Sequence, residues 1–114
     1  MFRVLGNLPG DPPSPSEIVV GQTKVTTSGT PVQLTATSTS LRNGVWFNSN
    51  ETGAKKHYIG TTANKPTYDS GATGAKSSGQ ICMPYNPVFW ECSDLSDIWL
   101  DASTDNRTMC YLAY

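Results

Sequence analysis

The sequence predicts an all-β protein, a single small β-sandwich or barrel of about eight short strands that follows an extended N-terminal arm. Only 37% of the 114 residues are hydrophobic and 15% charged. Thr, Ser, Gly, Asn and Pro make up the balance, which is typical of strands and turns. Short apolar or alternating runs recur between turn residues, and no window has a helical period. A chain of this length fits one domain with a modest core.

Residues 1–17 are predicted to form the arm, and residues 18–114 the β domain. Residues 9–15 hold four of the eight prolines, and proline at this density favours an extended, polyproline-like chain that acts as a semi-rigid spacer. Four apolar side chains lie ahead of this spacer: Phe2, Val4, Leu5 and Leu8. Two interpretations stay open: a disordered terminus, and a segment that becomes ordered when it docks on a neighbour.

The first half of the β domain is predicted to contain five short strands. They lie at residues 18–20, 24–27, 32–34, 45–47 and 57–60. The second and third of these surround the glycine-containing turn at residues 28–31 and are interpreted as a hairpin. In the fourth, Val45 and Phe47 share one face, so Trp46 points to the other.

The second half is predicted to begin with a glycine-rich segment at residues 61–80, either a long surface loop or an elaborated hairpin tip. Loops of this length usually carry function or are mobile. The remaining apolar runs lie at residues 81–84, 88–92, 98–100 and 109–114. The run at 88–92 alternates, with Val88, Trp90 and Cys92 on one face. A polar turn joins the last two strands, and the chain ends inside the final one.

Two tryptophans are candidates for binding because the alternation directs them away from the core. Trp46 points outward if Val45 and Phe47 are internal, and Trp99 points outward if its neighbours Ile98 and Leu100 are internal. An outward tryptophan on a sheet serves as a sugar platform or a subunit contact. The alternative for both is burial beneath a loop.

The polar residues do not form a recognisable catalytic or metal-binding set, so no enzyme activity, cofactor or metal is predicted. The only histidine, His57, is interpreted as a surface residue of a strand. Four aspartates lie close in sequence: Asp94, Asp97, Asp101 and Asp105. Their spacing does not match a calcium-binding EF-hand loop, so Asp94 and Asp97 are expected to shape a turn and Asp101 to end a strand. The segment 71–78 lacks the glycine spacing of a phosphate-binding loop.

The cysteines and the net charge narrow the class of protein further. Cys82, Cys92 and Cys110 are an odd number without CxxC spacing, which argues against a disulfide framework or a zinc site. They are interpreted as small buried hydrophobes of a protein folded in a reducing cytoplasm, although a bridge between two of them stays open.

The net charge of −1 and the scattered basic residues argue against nucleic-acid binding. No apolar run is long enough for a membrane span or a signal peptide.

Three motifs resemble a group of small virion proteins of tailed bacteriophages. These are a valine-threonine opening at Val25–Thr27, a leucine-x-x-isoleucine-aromatic strand at Leu95–Trp99, and an aromatic ending at Tyr111–Tyr114. The resemblance extends from about Ile18 to the C-terminus. It departs at Pro84–Pro87, where members of the group often have a proline-glycine-glutamate turn.

The resemblance implies a structural part of a phage particle, assembled in the host bacterial cytoplasm. A capsid decoration (cement) protein fits best. Its expected partners are the major capsid protein and other copies of itself, since such proteins often sit as trimers over capsid junctions. The side chains expected to bind partners are Phe2, Val4, Leu5, Leu8, Trp46 and Trp99. A tail, neck or baseplate component and a receptor- or glycan-binding module are the alternatives.

Overall fold

The computed structural model describes residues 18–49, 51, 55–69 and 78–114, and it contains eight β-strands. The arm at residues 1–17 lies outside the described residues. The strands are β1 (Val19–Val25), β2 (Val32–Gln33), β3 (Gly44–Ser49), β4 (His57–Thr61), β5 (Gln80–Cys82), β6 (Val88–Glu91), β7 (Ile98–Ala102) and β8 (Arg107–Ala113). A short 3₁₀ turn at Leu95–Asp97 precedes β7. No helix among these residues is long and apolar enough to cross a membrane.

The strands form two four-stranded antiparallel sheets that pack as a sandwich, which confirms the predicted fold class. The first sheet has the order β1-β8-β3-β6, and the second has the order β2-β7-β4-β5. Strand β1 pairs with β8, β2 with β7, β3 with β6, and β4 with β5. This nesting is the pattern made when one long antiparallel ribbon wraps around a core, and it is the strand order of a jelly roll.

The core lies between the sheets because apolar residues alternate along the strands with period two. In β3, Val45 and Phe47 are fully buried whereas Trp46 is exposed, as the alternation predicted. In β6, Val88 and Trp90 pack against the core, with Trp90 edge-on to Phe47 at 6.4 Å between ring centroids. The buried apolar residues are Val25, Leu34, Val45, Phe47, Ile59, Cys82, Leu95, Ile98, Leu100, Ala102, Met109 and Ala113.

The predicted hairpin at residues 24–34 is wrong. Strand β1 belongs to the first sheet and β2 to the second, so the turn between them carries the chain across the sandwich. Backbone N–H groups of this turn bind side chains near the end of β7: Ser28 donates to Asp105, and Gly29 donates to Asp101. The sequence signals of the turn were correct, but they indicated a corner between sheets.

Strand β1 is also longer than predicted, because it runs without a break through Gly21. A side chain at this position would collide with the Tyr111 hydroxyl, since a Cβ atom there would lie 2.5 Å from it. Gly21 and Tyr111 are partners across the β1–β8 pair. The glycine therefore makes room for a neighbouring aromatic ring and does not end the strand.

The polar turn between the last two predicted strands is present, and the chain ends one residue beyond β8. These two strands also belong to different sheets. Strand β8 lies between β1 and β3, and strand β7 lies between β2 and β4.

Strands β4 and β5 pair as a hairpin, as one of the two interpretations of residues 61–80 predicted. Residues 70–77 of that connection lie outside the described residues.

The three cysteines are unpaired thiols. Cys82 is buried, and Cys92 and Cys110 are half-buried. Burial raises the pKa of the Cys82 and Cys92 thiols, which keeps them protonated at neutral pH. The bridge that the sequence left open does not form in this structure.

Asp101 is fully buried in β7 and accepts three backbone hydrogen bonds. Its Oδ1 accepts from Gly29 N at 3.0 Å and from Ala102 N at 2.8 Å. Its Oδ2 accepts from Tyr68 N at 2.7 Å. The sequence placed this residue at a strand end and gave it no such role. The carboxylate joins β7, the β1–β2 corner and the β4–β5 connection.

We predict that Asp101→Asn destabilises the fold by about 1–3 kcal/mol, because the new amide group would turn a donor toward the Tyr68 N–H and leave it unsatisfied. Urea denaturation measures the change. The matched control is Asp105→Asn, since exposed Asp105 accepts one backbone bond from Ser28, which an amide oxygen can still accept. The control should change stability by less than about 0.5 kcal/mol. Equal effects in the two variants would contradict the assigned role of Asp101.

Candidate docking face on the first sheet

Four apolar side chains form a continuous row across the outer surface of the first sheet. The register aligns Val20 with Leu112, Leu112 with Trp46, and Trp46 with Phe89, one from each strand. We call this set the apolar row. Val20 is 68% exposed, Trp46 43% and Leu112 38%. The row arises because each strand places its core residues on one face and leaves these residues on the other.

The row ends in a small aromatic cluster at its β6 side. The rings of Trp46 and Phe89 lie 5.1 Å apart between centroids and are inclined by 52°. Tyr114, which continues the ladder beyond β8, lies 6.5 Å from Phe89. Its backbone bonds to Gly44 in both directions, at 3.0 and 2.9 Å. The backbone that carries these aromatic rings is thus held by hydrogen bonds between strands, and the rings offer a rigid surface.

A shallow depression of about 410 Å³ lies beside the row. Trp46 and Leu112 line it together with Pro87, Asn48 and Cys110. Asn48 and Cys110 are cross-strand partners in the next row of the sheet. The depression gives the apolar row a recess with a narrow polar margin, large enough to receive an apolar side chain from a binding partner.

At the outer surface of the second sheet, Ile81 of the edge strand β5 is 44% exposed, but the centre over β4 and β7 is covered by the chain itself. Residues 62–69 of the β4–β5 connection, which we call the cover loop, lie against it. A Cβ atom at Gly60 would lie 2.4 Å from the Asn64 carbonyl and 2.7 Å from Pro66, so the loop rests directly on the β4 backbone. The rings of Tyr58 and Tyr68 pack 5.7 Å apart. The two faces of the sandwich are therefore unequal.

Trp99 points outward from the second sheet, as predicted, but the cover loop contacts it. Its Nε1 donates to Thr62 Oγ1 at 3.0 Å, and Lys65 Nζ lies 4.1 Å from the ring centroid. A cation over an indole ring is an attractive contact. Of the two tryptophans proposed for binding, Trp46 is the exposed one. The other candidates, Phe2, Val4, Leu5 and Leu8, lie outside the described residues.

Sequence reasoning missed three members of the exposed face, namely Val20, Phe89 and Leu112. The alternation of side chains along each strand already indicated that these residues face outward. Phe89 was already assigned to the face opposite Val88 and Trp90, and Leu112 lies within the aromatic ending at Tyr111–Tyr114. What the local pattern lacked was the register, which alone aligns residues of four distant strands into one row.

Asp94 acts as the cap of the 3₁₀ turn, in agreement with the prediction that it shapes a turn. Its carboxylate accepts from Ser96 N at 2.9 Å and from Thr39 N at 3.0 Å, and from the Ser38 hydroxyl. These hydrogen bonds, that of Ser38 first, hold the pKa of Asp94 well below its usual range. The aspartates serve local structure, and among the described residues no group of histidine, cysteine or acidic side chains could hold a metal ion.

His57 is fully buried, so its interpretation as a surface residue is wrong. Its strand is central in the second sheet, and the ring points into the sandwich with its partners Cys82 and Ala102. Nδ1 lies 3.1 Å from Ser49 Oγ, whereas Nε2 makes no side-chain or backbone hydrogen bond among the described residues. Burial lowers the pKa of His57, although the Arg107 carbonyl and the Glu51 carboxylate act in the opposite direction.

Glu51 lies at the same end of the sandwich and pairs with Arg107. The distance from Oε1 to Arg107 Nη1 is 2.8 Å, and Oε2 accepts from Thr108 N at 3.2 Å. Burial opposes ionisation of this carboxyl, but the hydrogen bonds and the charge of Arg107 lower its pKa overall. The pair links the chain two residues beyond β3 to the start of β8. The pKa of the Glu51 carboxyl therefore lies below its ordinary value.

No family model, no curated protein and no solved structure matches this chain. The geometry of the exposed face and the sequence motifs are therefore the basis for a functional proposal.

We predict that stability falls as pH drops below about 6.5 because of His57. The unfolded chain takes up a proton near its ordinary pKa of about 6.5, but the folded protein does so only at a lower pH. The free energy of unfolding should therefore decrease between the two pKa values, by at most about 1.4 kcal/mol per pH unit. Urea denaturation between about pH 7.5 and pH 5.5 measures this slope. Below the folded-state pKa the contribution becomes constant.

The control is His57→Gln, which keeps a polar side chain of similar length but does not titrate. This variant should be less stable at neutral pH and should lose most of the slope above about pH 5. The Glu51 and Asp94 carboxyls titrate at lower pH and leave this window unchanged. An unaltered slope in the variant would show that another group is responsible.

Proposed function

We propose that this chain is a non-enzymatic structural protein of a phage particle, and that it acts as a capsid decoration protein. In this proposal it binds as an oligomer over the major capsid protein and stabilises the lattice through its arm and through contacts between copies. The single observation that carries the proposal is the apolar row, which is exposed across all four strands of its sheet, whereas the chain covers the centre of the other sheet. A contiguous apolar patch on a small protein marks an interaction surface.

The fold supports this proposal by analogy. Jelly rolls occur in viral capsid proteins and in lectins, and a fold by itself does not determine function. The resemblance of the Val25–Thr27, Leu95–Trp99 and Tyr111–Tyr114 motifs to small phage virion proteins favours the first of these two groups. The arm and the apolar row then provide two attachment elements on one small module.

The polar residues are consistent with a binding role. A general acid or base has to reach the substrate with a free lone pair or proton. Asp101 directs both carboxylate oxygens to backbone N–H groups, and the Asp94 carboxylate is occupied by a turn. His57 is enclosed in the core. Each of these groups is used to hold the sandwich together, which supports a structural function.

We predict that deletion of residues 1–10 leaves the domain folded and abolishes binding to capsids. Strand β1 begins at Val19, so the deletion leaves all eight described strands intact. The assay is co-sedimentation of purified protein with particles that lack it, with circular dichroism to check folding. Gln22→Ala is a matched control, since Gln22 lies on the same outer face one row away. Undiminished binding of the truncated protein would refute the attachment role of the arm.

The number of copies per particle separates a capsid position from a tail or baseplate position. A decoration protein should be present in proportion to the capsid subunits, whereas a tail or baseplate component should be limited to the copies of one or a few rings. Quantitative mass spectrometry of purified particles measures this ratio. A ring-like copy number would replace the capsid assignment with the tail alternative.

Glycan binding is the second candidate function, and the exposed Trp46 beside Asn48 favours it. An aromatic face with an adjacent amide is a common way to hold a sugar ring. In a glycan array, binding through this platform should be lost in Trp46→Ala and retained after deletion of residues 1–10. If no glycan binds the intact protein, this candidate is excluded.

A further inference from the structure

We infer that the apolar row is the binding site for the arm tip, residues 2–8, of a second copy of this chain, so that the copies join into a closed ring. The inference rests on the proposed structural role and names the partner of the exposed face. It differs from that role in one respect, because it assigns the arm tip to a neighbouring copy instead of the capsid surface.

The size of the row favours a short segment as its occupant. An aromatic side chain has a surface of roughly 150–250 Å² and an aliphatic one is smaller, so the exposed fractions of Val20, Trp46 and Leu112 leave at most on the order of 300 Å² uncovered. Each partner in a stable protein interface buries about 800 Å². Two copies facing each other through these rows alone would therefore lack the area for a stable dimer. A peptide segment with a few apolar side chains matches the patch.

The composition of the tip matches the chemistry of the row. Phe2, Val4, Leu5 and Leu8 supply apolar side chains, and Arg3 is the one charged side chain of the tip. Glu91 lies on the outer face of the first sheet, two residues along β6 from Phe89, and is exposed. A tip that lies along the row can place its cation beside this carboxylate. The apolar contacts supply affinity, and the charges fix the direction of the segment.

The length of the spacer favours a neighbouring copy over the chain's own row. Residues 9–17 reach about 28 Å when extended as polyproline. The row crosses three strand spacings, which is only about 14 Å. Because the arm joins the sheet at β1, where the row itself begins, an extended spacer carries the tip beyond its own sheet. A proline-rich spacer also resists the reversal that docking on its own row would require.

An arm that docks on a neighbour makes a heterologous contact, in which the two partners use different surfaces. Such contacts either close into rings or continue as open filaments. A decoration protein has a finite oligomer, so a ring is the expected result. The mass of the oligomer in solution gives the number of copies in the ring.

The first test measures the oligomeric state in solution, without capsids, by light scattering coupled to size-exclusion chromatography. The full chain should be oligomeric, and the chain lacking residues 1–10 should be monomeric and folded. Trp46→Ser and Leu112→Ser should weaken assembly by on the order of tenfold or more, since truncation of a central apolar anchor commonly has this effect. Gln22→Ala should assemble normally.

Each other result would overturn the inference. A monomeric full chain excludes assembly through the arm. Oligomers that persist without residues 1–10 use another surface. If the oligomers require the arm but still form with Trp46→Ser and with Leu112→Ser, the tip binds away from the apolar row. None of these results depends on binding to capsids, so failure here and failure of the proposed function can be distinguished.

The second test uses the native Cys110, which lines the depression beside Trp46. Leu5→Cys in a Cys92→Ala background should form a disulfide with Cys110 of another copy under mild oxidation. Non-reducing electrophoresis should then show a ladder that ends at the ring size. The added Cys110→Ser substitution should abolish the ladder. A monomeric product with an internal disulfide would show that the arm binds its own sheet, and no disulfide at all would place the tip elsewhere.

The third test exchanges the charges. Arg3→Glu or Glu91→Arg alone should weaken the oligomer, because each places like charges together. The double variant should recover most of the lost assembly. Additive losses in the double variant would remove the proposed contact between these side chains and the direction that it gives to the tip.

Discussion

The buried carboxylate of Asp101 makes the two faces of this sandwich unequal. Its three backbone partners belong to β7, to the corner between β1 and β2, and to the cover loop. Hydrogen bonds to a charged acceptor contribute about 1.5–3 kcal/mol each, and removal of the acceptor would leave three donors inside the protein. The chain therefore fixes the cover loop over β4 and β7 of the second sheet, and the first sheet has no comparable cover among the described residues.

The apolar row on the first sheet has a second physical explanation, which is stabilisation of the sheet itself. Cross-strand pairs of aromatic and branched side chains contribute roughly 0.2–1 kcal/mol each. Threonine and tyrosine would provide similar pairing at less apolar exposure, and the next row of the same sheet does use polar partners such as Gln22 and Asn48. Sheet stability alone accounts for strong β-formers in these positions. It does not account for aliphatic and aromatic side chains aligned across all four strands, and this alignment is what an interaction surface requires.

The period of a strand is local, and so the facing of side chains could be predicted from sequence at Val45–Phe47, at Val88–Cys92 and around Trp99. Which sheet a strand joins is decided by distant partners, and the sequence contained no comparable signal for it. The β1–β2 corner was mistaken for a hairpin because the same turn residues serve both purposes. His57 has polar and aromatic neighbours in sequence, but its ring points into the sandwich toward Ser49 of the first sheet, and this orientation buries it. The outward orientation of Trp99 was predicted correctly. Its contacts with Thr62 and Lys65 could not be predicted, because they depend on the path of the cover loop.

A small contact surface is compatible with a firmly attached shell protein if the contacts are repeated. In the proposed arrangement one arm on one row would cover only a few hundred Å², which by itself supports weak association. Closure of a ring makes the last contact intramolecular, and each further attachment point raises the effective concentration of the others. Under this constraint the row should remain modest in size, since a larger exposed apolar surface would promote aggregation of the protein before it reached its site. The proline-rich spacer contributes in the same direction, because a chain restricted before binding loses less conformational entropy when its tip is held.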